Sequence, residues 1–163
     1  MWNNIVNEMS SPTILSWEVL GIRLLGAVVL CGAIGFERER RDRPAGLRTH
    51  MLVGLASCVY SIVMLELLAR STQYPDHVRA DPIRIIEGIT SGVAFLAAGM
   101  IVFTGEKVKG LTTGASMWLA AAVGLCIGLG MWPMAVATAV LCLVIMRGLK
   151  AIERRAFHKD LDD

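Results

Sequence analysis

The chain has 163 residues, 55% of them hydrophobic and 18% charged, with a mean hydropathy of +0.57 and a formal net charge of +2. So much apolar residue exceeds what one soluble core of this size holds, and a nearly balanced charge supplies no basic field for nucleic acid. Cys31, Cys58, Cys126 and Cys142 all fall inside apolar runs without CxxC spacing, which argues against a zinc site or disulfide framework and predicts small buried packing groups.

Five apolar runs approach the ~20 residues that cross ~30 Å of hydrocarbon. The predicted spans are 14–36, 47–69, 83–103, 111–130 and 132–149, an all-α, polytopic membrane fold with a transmembrane domain at 1–152 and a short tail at 153–163. The first run lacks a basic leader and ends in Glu37-Arg38-Glu39-Arg40-Arg41 rather than a small-residue cleavage site, so it reads as a retained span. Between the fourth and fifth runs only residues 128–133 remain, a tight hairpin with Pro133 suited to a first helical turn, which makes those helices antiparallel neighbours. The apolar part of the fifth run stops at Met146, so Arg147 and Lys150 must snorkel to an interface.

Charge placement sets the orientation. With the N-terminus outside and the C-terminus cytoplasmic, twelve basic residues lie inside (Arg38, Arg40, Arg41, Arg43, Arg48, Lys107, Lys109, Arg147, Lys150, Arg154, Arg155 and Lys159) against three outside (Arg70, Arg79 and Arg84). Trp17 and Trp132 then fall at the outer interface, where indoles are expected.

Four ordered segments carry a resemblance. Gly35-Phe36-Glu37-Arg38-Glu39-Arg40 with Ala45-Gly46-Leu47-Arg48-Thr49-His50, then Asp81-Pro82-Ile83-Arg84-Ile85, then Ser91-Gly92 through Phe95-Leu96 to Ala98-Gly99, and finally Leu111-Thr112-Thr113 with Trp118, resemble the successive motifs of the MgtC/SapB family. The resemblance covers about residues 20 to 130. It implies a polytopic protein of the bacterial inner membrane associated with growth at low magnesium and, in pathogens, with survival inside host cells. It also implies that the soluble C-terminal domain of some members is absent, since the chain ends soon after the fifth run. Ala94 and Ala97 stand where the family's third helix usually has glycine, and Gly114 stands where alanine is common, so close packing there is expected to differ.

The residues themselves show two polar layers. On the cytoplasmic side Glu37, Arg38, Arg48, Thr49, His50, Thr112 and Thr113 gather at one helix end and two helix starts, whose positive dipole ends favour a carboxylate or a small anion. One reading is a vestibule or partner-docking surface. The other is plain architecture: Thr49 and Thr112 cap helices, Glu37–Arg41 and Glu39–Arg43 form i,i+4 pairs, and the remaining arginines hold the leaflet. In the outer half, Arg23 and Glu87 lie at similar depth, with Glu66 and Asp81 nearby. Charges inside a membrane tend to pair or to line a wet cavity, so this layer reads either as a structural Arg23–Glu87 ion pair or as a divalent-cation site built of carboxylates. Any metal is left unspecified.

Gly88–Gly92, Ala94–Ala98 and Gly124–Gly128 space small residues four apart, a pattern for close helix approach within one chain or across a homodimer seam. The chain carries no HExxH, P-loop or GxSxG, so neither an enzyme nor a cofactor is expected. The expected function is a non-enzymatic membrane protein, in contact with lipid, that regulates another membrane protein. The alternative is a channel or transporter for magnesium or another ion.

Overall fold

The structure, a computed structural model, describes residues 2, 13–41, 43–71, 81–104 and 107–157. Five helices dominate: α1 (Trp17–Glu39), α2 (Leu47–Ser71), α3 (Pro82–Met100), α4 (Leu111–Gly128) and α5 (Trp132–Phe157). A two-stranded antiparallel hairpin, β1 (Val102–Thr104) and β2 (Lys107–Lys109), links α3 to α4, pairing Phe103 with Val108. The five helices carry the expected all-α class, and the hairpin is a short extended link between two of them. The third apolar run stops being helical at Met100, where β-branched and aromatic residues favour extended backbone. Arg79 and Lys159, which entered the charge count, lie outside the described residues.

Local chemistry sets the helix ends. The Ser16 hydroxyl accepts from Val19 N–H at 3.5 Å and starts α1 three residues later than its hydropathy suggests. Asp81 caps α3, accepting from Ile83 N–H at 3.0 Å, with Pro82 in the first turn. At the end of α4, Gly130 at φ 80° and the bonds Gly130 N–H to Ile127 O and Met131 N–H to Cys126 O form a Schellman motif, from which α5 turns back.

Among the described residues four helices, α1 to α4, are long and apolar enough to cross a membrane, and α5, 26 residues in all, opens with the apolar stretch Trp132–Gly148. Four of the five expected runs are thus candidate spans by length and composition, and the fifth forms a helix that begins apolar. The surface fits a lipid solvent. Leu25, Val29, Leu52, Phe95 and Leu141 face outward, while many enclosed positions are small: Ala27, Cys31, Cys58, Ala120 and Ala135. A water-soluble protein does not expose apolar surface on this scale, whereas in lipid it costs nothing and helices associate through close packing instead. The chain is a multi-pass membrane protein.

Helix α4 is the centre, packed against each of the other four helices. A Cβ on Gly124 would lie 2.1 Å from the Gly54 carbonyl oxygen of α2, and one on Gly128 would lie 2.5 Å from the Cys58 oxygen, so both glycines serve contact within the chain. Gly88 and Gly92 face open space instead. One alanine-for-glycine departure on α3 finds a partner on α4: a Cβ on Gly114 would sit 3.1 Å from the Cβ of Ala97, so the methyl on one helix meets the missing methyl on the other. All four cysteines are free and buried, as expected, and the Cys31 thiol donates to the Ala120 carbonyl at 3.3 Å. Trp17 is exposed, but Trp132 packs its ring onto Gly26 of α1 rather than standing free at an interface.

Candidate functional site

At the basic end of the bundle, α1 continues helical to Glu39, so Glu37 and Arg38 belong to its last turns and not to a loop. Gly35 lets α2 start in direct contact there: an added Cβ would come within 3 Å of Leu47 Cα and His50 Cβ. This approach encloses Glu37 and Arg38, 3% and 4% exposed, together with His50, Thr113 and Ser116. Glu37 Oε1 lies 2.5 Å from Arg41 Nε, and Oε2 lies 3.8 Å from Arg38 Nε. These contacts balance charge without hydrogen-bond alignment, leaving both Glu37 oxygens and Arg38 Nε without a hydrogen-bond partner among the described residues.

His50 joins three pieces of chain. Its Nδ1 is 2.8 Å from the Gly46 carbonyl, which only accepts, so Nδ1 carries a proton. Its Nε2 is 3.0 Å from Ser116 Oγ on α4, and that hydroxyl is 2.8 Å from the Thr113 carbonyl. Both ring nitrogens are thus occupied by protein, which makes His50 a buried bridge between the α1–α2 turn, α2 and α4 rather than a free metal ligand.

The sequence-predicted cytoplasmic residues therefore divide. Glu37, Arg38, His50 and Thr113 come together in the enclosed layer, while Arg48 and Thr112 are exposed and Thr49 is half-buried. The i,i+4 pair Glu37–Arg41 is present. Glu39 instead turns to α2, its Oε2 accepting from Leu47 N–H at 2.9 Å, so this carboxylate takes the capping role expected of Thr49. On α4 the cap position is Gly110, with no side-chain cap from Thr112. Ser116 was missed by sequence reasoning. Its position one helical turn beyond Thr113 was the available signal.

The outer layer does not assemble. Arg23 donates from Nη1 to the Gly128 carbonyl at 2.6 Å, so its positive charge sits on the C-terminal carbonyls of α4, where the helix dipole favours a cation. Glu87 is exposed, and no ion pair includes it among the described residues. This overturns the Arg23–Glu87 pair. Glu66 holds Arg70 at 2.7 Å and accepts from Ile14 N–H at 3.0 Å, tying the start of the chain to α2, while Asp81 is spent on its cap. Among the described residues no group of three or more His, Cys, Asp or Glu is placed to hold a metal ion. Arg23→Met is expected to cost about 1.5–3 kcal/mol, the value of a hydrogen bond to a charged group, while Glu87→Gln stays within about 0.5 kcal/mol and the double change shows no recovery. Thermal unfolding in detergent reads all three; recovery in the double variant would restore the pair.

The MgtC family model matches residues 24–155. The chain belongs to the MgtC family. It is 39% identical over 139 residues to the protein named "Putative magnesium transporter YhiD" of Escherichia coli strain K12, covering 85% of this chain and 64% of that relative. Against "Protein MgtC" of Salmonella typhimurium strain LT2 it is 39% identical over 122 residues, covering 75% of this chain and 48% of that protein. Against "Protein SrpB" of Synechococcus elongatus the identity is 34% over 149 residues, 86% of this chain and 80% of the relative. The chain thus spans less than two thirds of the first two relatives. No solved structure matches it. The enclosed Glu37, Arg38, His50, Thr113 and Ser116 all fall inside the region shared with the family.

Proposed function

We propose that this MgtC-family chain is a non-enzymatic protein of the bacterial inner membrane, its basic end in the cytoplasm, that supports growth at low magnesium by acting on another membrane protein. One observation carries the reading: the middle of the bundle is shut. Ala27, Cys31, Ile34, Ala120, Val123 and Ile127 are fully enclosed, and α2 meets α4 backbone to backbone at Gly54 and Gly124. A single copy with such a centre offers chemistry at its ends, and the polar side chains it does bury near one end are those of the basic layer. The family and the magnesium-related name of one relative point to the same physiology. That relative's name also favours the second reading, an ion transporter, in which a pathway would form between copies.

Arg48 discriminates a surface that meets a partner from one that does not. It is exposed, so Arg48→Ala should change stability by no more than about 0.5 kcal/mol and leave the amount in the membrane unchanged. Loss of growth support at low magnesium by that variant, with no magnesium flux above empty liposomes for the reconstituted wild type, is the expected result. Flux from the wild-type protein would replace this reading with transport.

A further inference from the structure

A cavity of about 310 Å³ opens at the basic end between α1 and α5, lined by Glu37, Arg40, Arg41 and Arg147. It stands at the low end of ligand pockets, which run roughly 300–1,000 Å³. Its charge is unbalanced. Glu37 is committed to Arg41 and Arg38, whereas Arg40 and Arg147 have no carboxylate partner among the described residues. Three guanidiniums around one carboxylate repel a divalent cation and attract an anion, and the planar arginine fork suits phosphate oxygens in particular.

A second, independent feature identifies the source of the phosphate. On α1, Val29, Phe36 and Arg40 share one helical face, with the Arg40 guanidinium 5.4 Å from the Phe36 ring centroid. On α5, Val140, Val144 and Arg147 do the same, and all four apolar side chains of the two faces are exposed. Each apolar stripe therefore ends at an arginine of the cavity, the arrangement an amphiphile matches and a soluble anion does not.

We propose that this cavity binds the headgroup phosphate of a membrane phospholipid through Arg40 and Arg147, with the acyl chains lying along the two apolar stripes. The site requires only that the helices lie in a bilayer, and it stands apart from the regulatory reading.

The test uses the full chain in a neutral detergent, with lipid retention followed by native mass spectrometry and unfolding followed thermally. Phosphatidylglycerol is expected to be retained and to raise the unfolding temperature, as binding to the folded state must. Arg40→Gln/Arg147→Gln should weaken retention about tenfold or more by removing two charge-assisted contacts, while its lipid-free unfolding matches wild type. Arg43→Gln, an exposed charge outside the cavity at the same end, should retain lipid as wild type does. Equal protection by inorganic phosphate would assign the cavity to a soluble anion and overturn the proposal. So would equal retention of uncharged diacylglycerol, equal loss in Arg43→Gln, or undiminished retention in the double variant. Should the double variant fail to fold, Arg147→Gln alone decides, with weaker retention expected and unchanged retention fatal.

Discussion

Gly124→Ala is expected to destabilise the bundle by about 3 kcal/mol, the upper end of overpacking costs, because the new methyl would lie 2.1 Å from the Gly54 carbonyl oxygen. The obstacle is backbone, which has no rotamer to change, so α2 and α4 must separate. In lipid no hydrophobic force pulls them back, since their apolar faces are equally at home against acyl chains. Gly88→Ala is the contrasting change. Nothing lies within 4 Å of a Cβ there, and alanine in an open helical site stabilises by about 0.5–1 kcal/mol through helix propensity. Unfolding in detergent or sodium dodecyl sulfate should therefore move in opposite directions for the two substitutions. Wild-type stability in Gly124→Ala would mean that α4 does not meet α2 at this distance.

Glu37→Ala should be costlier, about 3–5 kcal/mol, because it leaves Arg38 as a buried charge without its carboxylate. Arg41, the other partner, is 28% exposed and is rescued by water, so the penalty falls mainly on Arg38. Exchanging both members of the buried pair for apolar residues of similar volume, Glu37→Leu with Arg38→Met, should recover much of the loss, as buried ion pairs are often replaceable in this way. Equilibrium unfolding checks the recovery, and growth at low magnesium checks whether activity returns with it. Stability without activity is the expected outcome, because the double variant restores packing but removes both charges from the enclosed basic layer. Restored growth would reduce Glu37 to a packing role.

Much of the helical frame was legible because its signals are local. Apolar runs and the glycine–proline punctuation around residues 128–133 act within a few residues of themselves, as does the Glu37–Arg41 pair one helical turn apart. The enclosed layer was half legible for the same reason: Thr113 and His50 stood beside the motif, but nothing local says that a serine 66 residues from His50 is its partner.

Tertiary structure alone decided the rest. Arg23 reaches a carbonyl 105 residues away instead of the carboxylate at matching depth, because the Gly128 oxygen stands at the end of α4, where the helix dipole favours a cation. Which helix occupies the centre was equally hidden. A lipid-facing side chain and a protein-facing one are both apolar, so hydropathy does not separate them, and the choice falls to where glycine lets one backbone touch another. Residues 54 and 124 make that contact, which places α4 in the middle and seals the core.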